Sequence, residues 1–453
     1  MYTLQDILLA RSVAVVGASK TPGKMGHTLL SNLVAGGFEG GLYPINPKEE
    51  SLMGLKCYPT LSDVDGDIDL VVVCVPAAHV IGVVREAAQK GAKGAIIISG
   101  GFREVGNDHL EAQLMEIVRE YGIRIIGPNC QGVNYTANRM CATWPFVGTR
   151  GAIGVVSQSG TIGAELELLA EKEGIGVSCF AALGNKLDIS EVDFIHFFAD
   201  DPNVRVIALN IEGIGADSGF VEAVIQAARK KPVVVLKPGR TAKGQVAVAS
   251  HTKSIAGNDQ LFSVFCKKYG IIRANDFTEF YDCCKLAAML SRPSGNTLQV
   301  ISSSGGAGIL ATDTAEENQV EILPLPQEAR QRLGEVLPDQ CVLSNPLDLT
   351  GDATAQRYAD ALGILEEQAA AIGCDSILVI FGDPIPGTYQ VIEQARQRCP
   401  VPILVTYMGG GAVQEEEVAQ MSRAKIPVFP TPERAVKALS GLLRTKVTQG
   451  VQG

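Results

Sequence analysis

The stretch KPGRTAKGQVAVASHTKSIAGND, residues 237–259, contains His251, one of only five histidines in the chain. An imidazole changes charge near neutral pH and carries a nucleophilic nitrogen, so a histidine among small and hydroxyl-bearing residues suits nucleophilic or acid–base chemistry. The same surroundings also suit an ordinary surface or capping histidine. This stretch alone leaves both interpretations open.

Two segments share the pattern of an apolar run, a Ser/Gly turn and a helix: GVVSQSGTIGAELELLA and QVISSSGGAGILATDTA. A helix that begins at such a turn presents unpaired N–H groups and the positive end of its dipole, which together can bind an anion. Local N-capping by serine, worth about 1 kcal/mol, is the simpler interpretation. The candidate phosphate-binding residues are Ser159, Gly160 and Thr161 in the first turn and Ser304, Gly305, Gly306 and Ala307 in the second.

The glycine turn VVGASKTPGKMGHTLLSNL follows the first apolar run and opens a helix, so its backbone can approach a phosphate. It departs from the dinucleotide pattern GxGxxG, because Gly17 is followed by Ala18 and a longer loop. The next run ends in YPINPK, with Asn46 and Lys48 where a dinucleotide site has an acid. A cation there favours an extra phosphate, such as the 3′-phosphate of coenzyme A (CoA), and disfavours a nicotinamide dehydrogenase. A glycine turn that serves only the fold is the alternative.

Short apolar runs alternate with longer helical patterns along the whole chain, as in SVAVVGAS, VRVIALNIEG and SILVIFGD. Runs this continuously apolar are buried on both faces, which predicts parallel sheets with helices on each side. Breaks rich in turn-forming residues, near 133–150 and at 291–296, separate three such units. We therefore predict an α/β protein of three doubly wound units, with domains at 1–132, 145–290 and 297–448.

The composition limits the functional class. The chain has 453 residues, with 39 basic and 49 acidic side chains and a net charge of −10, which argues against a broad nucleic-acid or anionic-membrane surface. Its eleven cysteines are odd in number and form no CxxC pair, so neither a disulfide framework nor a metal site is indicated. No signal peptide is apparent, and no apolar run approaches the roughly 20 residues of a membrane span. We expect a cytoplasmic protein.

Taken in order, the motifs resemble the α subunit of ADP-forming acyl-CoA synthetases (acetate–CoA ligase, ADP-forming), which are relatives of succinyl-CoA synthetase. The resemblance rests on VAVVGAS…PGKMGH, YPINPK, GPNCQGV, GVVSQSGTIGAE, ALGNKLDISEVDF, NIEGI, KPGRT…ASHTKSIAG and NPLDLTGDAT, which together cover nearly the whole chain. It implies a CoA-binding Rossmann-like domain, a phosphohistidine flavodoxin-like domain and a second flavodoxin-like domain.

The resemblance also implies the reaction acyl-CoA + phosphate + ADP ⇌ acid + CoA + ATP, through an acyl phosphate and a phosphohistidine. By this match His251 carries the phosphoryl group and Glu212, in NIEGI, orients its ring; an ordinary strand-end acid is the alternative for Glu212. The two Ser/Gly turns resemble paired helix starts that face the phosphohistidine. Since no P-loop or ATP-grasp pattern is present, the implied partner is an ATP-grasp β subunit that binds ADP/ATP and Mg²⁺, in an α2β2 assembly.

The remaining turns of the first third, CVPAAH, ISGGFRE and GPNCQG, are expected at the carboxyl ends of parallel strands, where open α/β sheets bind ligands. The CoA-binding residues predicted from the resemblance are Gly17, Ser19, Lys24, Asn46, Lys48, Val75, Pro76, Ser99, Gly100, Asn129 and Cys130. The Cys130 thiol is a candidate nucleophile, but no base accompanies it, so we favour a structural role. His27 is a further candidate contact to CoA.

Lys253 departs from the family, whose members commonly have glycine at this position. A lysine held at positive φ would be strained by about 1 kcal/mol. Alternatively, its cation selects an acid that bears a second anionic group, such as a dicarboxylate or a sulfonate. Lys253 is also the one feature that supports a different class of function, a CoA-binding regulatory protein of the same fold without ligase activity.

Overall fold

A computed structural model describes residues 2–214, 219–252 and 259–447, except for the side chains of 249–252. The described chain forms two compact units. The first runs to Lys172 and resumes over Gly176–Phe262, and the second comprises Glu173–Ile175 and Ser263–Val447. The first unit contains two large sheets and the second unit contains a third.

The first sheet is parallel, and its central strands are buried on both faces. Its elements are α1 Leu4–Leu8, β1 Ser12–Val16, α2 Met25–Ala35, β2 Gly41–Ile45, the hairpin strands β3 Ser51–Leu52 and β4 Leu55–Lys56, β5 Leu70–Val73, α3 Ala77–Gln89, β6 Gly94–Ile97, α4 Asp108–Tyr121 and β7 Arg124–Ile126. The strand order is β2-β1-β5-β6-β7. Alternate residues of one face, such as Val71 and Val73, pack with Val80 and Val84 of α3, because successive strand residues point to opposite faces.

The second sheet has four parallel strands and an antiparallel edge. Its elements are β8 Gly132–Tyr135, β9 Met140–Ala142, β10 Arg150–Ser157, α5 Gly160–Lys172, β11 Val177–Ala182, α6 Glu191–Asp200, β12 Val206–Asn210, α7 Phe220–Lys230, β13 Val233–Leu236 and α8 Ala242–Thr252, and α9 Asp259–Tyr269 follows. Within the first unit the strand order is β13-β12-β10-β11-β8-β9. The four strands from β13 to β11 are parallel, and β8 and β9 are antiparallel to their neighbours.

The antiparallel edge lies near 133–150, where the turn-forming residues of the sequence predict a break. Both strands are too short to give a periodic signal, and Asn134 interrupts the apolar pattern even though its side chain is buried. The Asn134 amide donates to the backbone oxygen of Val147 and to Oε1 of Glu167, at 2.9 and 2.6 Å. Beside the outer strand β9, Nδ2 of Asn32 in α2 donates to the backbone oxygen of Thr143 at 2.6 Å. This segment therefore extends the second sheet and contacts a helix of the first.

The second unit is built around a third parallel sheet. Its elements are β14 Ile272–Ala274, α10 Phe277–Met289, β15 Leu298–Ser302, α11 Gly305–Glu317, α12 Gln327–Val336, β16 Leu347–Asp348, α13 Ala355–Ile372, β17 Ser376–Phe381, α14 Thr388–Arg398, β18 Ile403–Tyr407, α15 Ala412–Arg423, β19 Val428–Phe429 and α16 Pro432–Leu443. The strand order is β16-β15-β17-β18-β19, with all neighbours parallel. Tyr358, Phe381 and Tyr407 form an aromatic group in its core.

The predicted fold class is confirmed, since strands and helices alternate in the expected order and three largely parallel sheets result. The domain limits at 1–132, 145–290 and 297–448 stay a prediction, because the first two sheets belong to a single compact unit. Within the described ranges, each helix is too short or too polar to cross a membrane.

Candidate active site

Neighbouring parallel strands of the second sheet end side by side and place the predicted site residues along one edge. β10 ends at Ser157, β12 at Asn210 and β13 at Leu236, and the register pairs Ser157 with Asn210 and Asn210 with Leu236. The SQSG turn begins at Ser157 itself, Glu212 lies two residues after Asn210, and Lys237 follows Leu236. They therefore occupy the carboxyl edge of the sheet, which is where α/β sheets bind ligands.

Ser157 organises the SQSG turn. Its Oγ donates to the backbone oxygen of Ser159 at 2.5 Å and accepts from the Ser159 N–H at 3.2 Å and from Nδ2 of Asn210 at 3.0 Å. Helix α5 begins at the next residue, Gly160, where any side chain would overlap the carboxamide of Gln131. The start of α5 is thus fixed at the sheet edge, with its dipole directed as an anion site requires.

Gln158 holds the turn that carries Glu212. Its Oε1 accepts from the backbone N–H groups of Glu212 and Gly213, at 2.8 and 3.0 Å. Its Nε2 donates to the backbone oxygen of Gly213 at 3.0 Å and to Oε1 of Glu191 at 3.3 Å. Glu212 itself is only 8% exposed. Gln158 thus fixes the backbone at Glu212, and a carboxylate that projects from a fixed backbone can set the tautomer of a neighbouring imidazole.

His251 lies in α8, the helix that follows β13. A Cβ added at Gly239 would lie 3.0 Å from Cγ2 of Val248, so α8 packs against the turn after β13 close to the position of His251. The side chain of His251 and the whole of Lys253 lie outside the described residues. The predicted roles of both residues therefore stay predictions.

The second Ser/Gly turn repeats the hydrogen bonds of the first. Oγ of Ser302 donates to the backbone oxygen of Ser304 at 2.8 Å and accepts from the Ser304 N–H at 2.9 Å. Ser304 also caps α11, because its Oγ accepts from the N–H of Ala307 at 3.4 Å. Helix α11 begins beside a carboxylate: a Cβ added at Gly305 would lie 2.8 Å from Oδ2 of Asp348. This negative charge offsets the positive end of the helix dipole.

The other predicted phosphate-binding residues are at the starts of the same helices. Thr161 and Gly306 are exposed in the first turns of α5 and α11, respectively. The hypothesis that both helix starts serve one phosphate concerns two separate units, and it stays a prediction.

The predicted CoA-binding turns lie at the carboxyl edge of the first sheet. Gly17 follows β1 with φ at 88°, and a side chain at Gly26 would overlap the backbone oxygen of Gly17. This close approach needs glycine at both positions. Asn46 ties the turn to the end of β2, since its Nδ2 donates to the oxygen of Ala18 at 2.7 Å and its Oδ1 accepts from the Lys48 N–H at 2.9 Å.

Polar and cationic side chains border this glycine turn. Lys24 and Lys48 are exposed, and Ser19 is half-buried with its Oγ accepting from the N–H of Thr21 at 3.1 Å. Nδ1 of His27 lies 3.1 Å from the backbone oxygen of Ser19, so the imidazole packs on the turn. The two ammonium groups remain available to phosphate oxygens.

The ends of β5, β6 and β7 are tied to one another beside the same turn. Oγ of Ser99 donates to the oxygen of Val75 at 2.5 Å, and the oxygen of Ser99 accepts from the N–H of Asn129 at 2.9 Å. Pro76, Gly100 and Asn129 are exposed. The structure therefore brings the predicted CoA residues to one edge, although most of the described contacts are structural.

Cys130 is not a nucleophile. It is 5% exposed, and its Sγ donates to the backbone oxygen of Ile97 at 3.2 Å. Burial raises the pKa of the thiol to about 12, so the thiol is protonated at neutral pH. The structural role that the sequence favoured agrees with this burial, and any contact of Cys130 with CoA would come from its backbone.

Five polar residues near these edges were not singled out from the sequence: Glu104, Gln158, Asn185, Lys186 and Glu191. All of them lie inside motifs that were recognised, namely ISGGFRE, GVVSQSGTIGAE and ALGNKLDISEVDF. The contacts among these residues join different segments of the chain and depend on the tertiary structure. In the sequence, only their position inside these motifs indicates that they belong to a site.

Two family descriptions match parts of the chain. The CoA binding domain family matches residues 11–136, and the succinyl-CoA ligase-like flavodoxin domain family matches residues 150–287. The two matches cover most of the first and second sheets.

Several known proteins are similar to the chain over nearly its full length. The α subunit of ADP-forming acetate–CoA ligase I from Pyrococcus furiosus is 36% identical, over 98% of this chain and 97% of the relative. The corresponding α subunit of ligase II is 32% identical over 98% of each chain. The ADP-forming acetate–CoA ligase of Methanocaldococcus jannaschii is 38% identical, and the chain spans 63% of that longer protein.

Solved structures show the same similarity. A chain of the "dinucleotide forming Acetyl-coenzyme A synthetase 1" of Ca. Korarchaeum cryptofilum, in complex with phosphate and ADP, superposes with a TM-score of 0.88 at 36% identity, over 96% of this chain and 95% of that one. The protein PH0766 of Pyrococcus horikoshii OT3 superposes with a TM-score of 0.86 at 28% identity, over 98% and 99% of the two chains.

Proposed function

The chain belongs to the family of ADP-forming acetate–CoA ligases, which are acid–thiol ligases, and we propose that it is the CoA-binding and phosphohistidine-carrying part of such an enzyme. The family expected from the motifs is thereby confirmed. In the proposed reaction phosphate attacks the thioester carbonyl and CoA leaves as the thiol. The phosphoryl group of the resulting acyl phosphate passes to His251 and then to ADP, which yields the acid and ATP.

The observation that carries this proposal is the arrangement at the carboxyl edge of the second sheet. Helix α5 begins there at Gly160, Glu212 stands at the end of β12, and α8 with His251 packs against the turn after β13. Helix-start N–H groups stabilise phosphoryl oxygens, and a carboxylate fixes the imidazole tautomer. These features support His251 as the carrier, Glu212 as its orienting group and the SQSG turn as a phosphate site.

The start of α11 is proposed as the second phosphate site. Its support is the repeated serine pair, since Ser302 and Ser304 make the same mutual hydrogen bonds as Ser157 and Ser159. Asp348 beside Gly305 weakens the attraction for an anion there. We therefore propose that this second site binds phosphate less tightly than the first.

CoA supplies the thiol that carries the acyl group, and the edge of the first sheet suits its phosphates. Gly17 and Gly26 keep the backbone bare where a pyrophosphate would approach, and Lys24 and Lys48 are exposed on either side. Asn46 holds the two turns at a fixed spacing. We propose that this edge binds CoA, with Lys48 near an additional phosphate.

The nucleotide is proposed to bind on another polypeptide. Two relatives that this chain covers to 97% and 98% are named α subunits, and the longer relative has room for a further domain beyond the 63% that this chain spans. The sequence holds no P-loop. The proposed partner is an ATP-grasp β subunit that binds ADP or ATP with Mg²⁺, in an α2β2 assembly.

The proposed function is tested on the chain co-purified with its β subunit. We expect ATP formation from acyl-CoA, ADP and phosphate, and a phosphorylated His251 after incubation with γ-labelled ATP. His251→Ala should abolish both signals, because it removes the nucleophile. His196→Ala, which changes an exposed histidine on α6, is the matched control and should keep both.

The outcome distinguishes the two candidate functions. Absence of both ATP formation and label in the wild-type complex, together with retained CoA binding, would contradict the ligase and support the regulatory alternative. Retention of label in His251→Ala would contradict the assigned carrier while leaving the ligase in place.

The acid is proposed to carry a second anionic group that Lys253 attracts. A panel of acetate, dicarboxylates and sulfonates should shift towards acetate in Lys253→Gly. Lys243→Gly, which changes an exposed lysine at the start of α8, is the control for loss of a cation near the same segment. An unchanged preference in Lys253→Gly would contradict this role.

A further inference from the structure

A set of polar contacts, continued at one point by the peptide bond between Asn185 and Lys186, joins the CoA edge of the first sheet to the Glu212 turn, and all of its members lie in the first unit. It starts at Glu104, whose Oε1 accepts from the N–H groups of Gly101 and Phe102. Burial opposes ionisation of Glu104, but these N–H groups and Asn185 outweigh it and hold its pKa below the ordinary value. The carboxylate thus fixes the turn that contains the predicted CoA residues Ser99 and Gly100.

The other oxygen of Glu104 is held by Asn185, in the turn after β11. Nδ2 of Asn185 donates to Oε2 of Glu104 at 2.6 Å and to Oε1 of Glu111 at 2.8 Å. The guanidinium of Arg103 donates to the backbone oxygen of Asn185. Asn185 is 8% exposed, so water cannot easily replace these partners.

Lys186 continues the set towards the second sheet edge. Its Nζ donates to Oε1 of Glu191 at 3.2 Å, and the same oxygen accepts from Nε2 of Gln158 at 3.3 Å. Glu191 is 2% exposed. A buried carboxylate is costly unless hydrogen-bond donors compensate for its lost hydration. Lys186 and Gln158 are therefore both held in place by the same oxygen of Glu191.

Gln158 ends the set at the backbone of Glu212. Through Oε1 it holds the N–H groups of Glu212 and Gly213, and through Nε2 it holds Glu191 and the oxygen of Gly213. Replacement of this side chain by an apolar one of similar length would release the Glu212 turn while leaving the Glu212 carboxylate in the chain. Gln158 is therefore a positioning residue for Glu212.

We define the relay as Glu104, Asn185, Lys186, Glu191 and Gln158. We infer that the relay makes the orientation of Glu212 depend on occupancy of the CoA turn. The inference rests on the proposed function, in which Glu212 orients His251. Asn185 and Glu191 are buried, and Glu104, Lys186 and Gln158 are half-buried. Because all five hold specific partners, a shift of the Gly101–Phe102 turn on CoA binding is passed along the relay rather than absorbed by solvent. Phosphoryl transfer to the histidine would then proceed faster when CoA is bound.

The test measures the rate of His251 phosphorylation by γ-labelled ATP in the complex with the β subunit, with and without a CoA analogue that lacks the thiol. We expect the analogue to raise the rate at least threefold in the wild type. Gln158→Met should slow the reaction about tenfold and remove the response, and Lys186→Met should also remove the response. Gln226→Met, which changes an exposed residue of α7, should behave like the wild type.

A binding measurement separates loss of coupling from loss of CoA binding. The affinity for the analogue should stay within about twofold of wild type in both relay variants, because neither residue lines the CoA edge. Absence of label in the wild type contradicts the proposed function. If His251 of the wild type is labelled but the analogue does not change the labelling rate, the relay is overturned. The relay is also overturned if the analogue still raises the labelling rate in Lys186→Met. An unchanged rate in Gln158→Met overturns its positioning role.

Discussion

The two Ser/Gly turns begin in the same way and differ in what surrounds them. In both, a serine hydroxyl bridges the N–H and oxygen of the serine two residues later, and a helix follows directly. At α5 the neighbours are Gln131 and the Glu212 turn held by Gln158. At α11 the neighbour is the carboxylate of Asp348.

Two turns with the same local sequence motif can therefore have different surroundings and different affinities for an anion. The hydrogen bonds within each turn depend on adjacent residues, so sequence similarity repeats them faithfully. The electrostatic character of each helix start depends on groups that lie far away in the sequence. At the first turn, Gln158 binds a carboxylate oxygen of Glu191 and the backbone of Glu212, whereas at the second turn the Asp348 carboxylate lies beside the first residue of the helix.

The largest expected contrast is a pair of glycine substitutions. Gly160→Ala places a methyl group against Oε1 of Gln131, whose amide donates to the backbone oxygen of Trp144, so that either this side chain or the start of α5 must shift. We expect a loss of activity of about tenfold. Gly306→Ala keeps the backbone N–H at the proposed second phosphate site and meets no atom within 4 Å, so it should keep activity within about twofold. Steady-state ATP formation by the complex measures both. Equal losses in the two variants would contradict the contrast.

A second contrast is the pH dependence of stability. Seven residues after its first glycine, α5 has Glu167 where α11 has Thr312, whose hydroxyl donates to the oxygen of Gly308. Burial raises the pKa of Glu167 to about 8, so the folded state binds a proton that the unfolded state releases near its ordinary pKa. The contribution of Glu167 to stability is therefore full below about pH 4.5 and is lost progressively as the pH rises to about 8.

This contribution can be measured by urea denaturation, by following the unfolding transition of the first unit at several pH values between 5.5 and 8.5. We expect the stability of the wild type to fall by at most about 1.4 kcal/mol per pH unit from this group, and Glu167→Gln to flatten that dependence. Glu165→Gln, a neighbouring exposed position of α5, is the control. A dependence in Glu167→Gln equal to that of the wild type would contradict the assignment.

A smaller contrast concerns the bridging serines. Ser157 accepts an additional hydrogen bond from Nδ2 of Asn210, a contact that Ser302 lacks among the described residues. Ser157→Ala should therefore cost about 1 kcal/mol more than Ser302→Ala, because it also leaves a buried amide without this partner. Hydrogen exchange of the two turns and the first turns of α5 and α11 measures the local opening free energies. Equal costs would indicate that Asn210 finds another acceptor.

The smallest expected effect is a gain of phosphate affinity at α11. Asp348→Asn removes the negative charge beside Gly305, and we expect about threefold tighter binding of inorganic phosphate by calorimetry. Asp352→Asn is the control, since this exposed carboxylate of the second unit is paired with Arg357 at 2.8 Å. Unchanged phosphate affinity in Asp348→Asn would contradict a phosphate site at this helix start.

The sheets could be predicted because their strands are continuously apolar, and the glycine turns could be predicted because each ends such a strand. The β8–β9 edge could not, since its strands are short and Asn134 breaks their apolar pattern while satisfying its amide internally. The candidate site divides in the same way. Glu212 lies in a recognisable motif. The hydrogen bond that the Glu212 N–H donates to Gln158, however, joins segments more than fifty residues apart and is visible only in the fold.

The contact of α2 with the outer strand β9 has a consequence for protein engineering. An unpaired strand edge is a template for addition of strands from other molecules, and here Asn32 takes up one of the carbonyl groups beside that edge. A truncated protein that begins after the first sheet would lose this cover and expose β9. Such a fragment should aggregate. In hybrids assembled from related proteins, α2 and β9 should come from the same parent, so that the contact between Asn32 and the oxygen of Thr143 is kept.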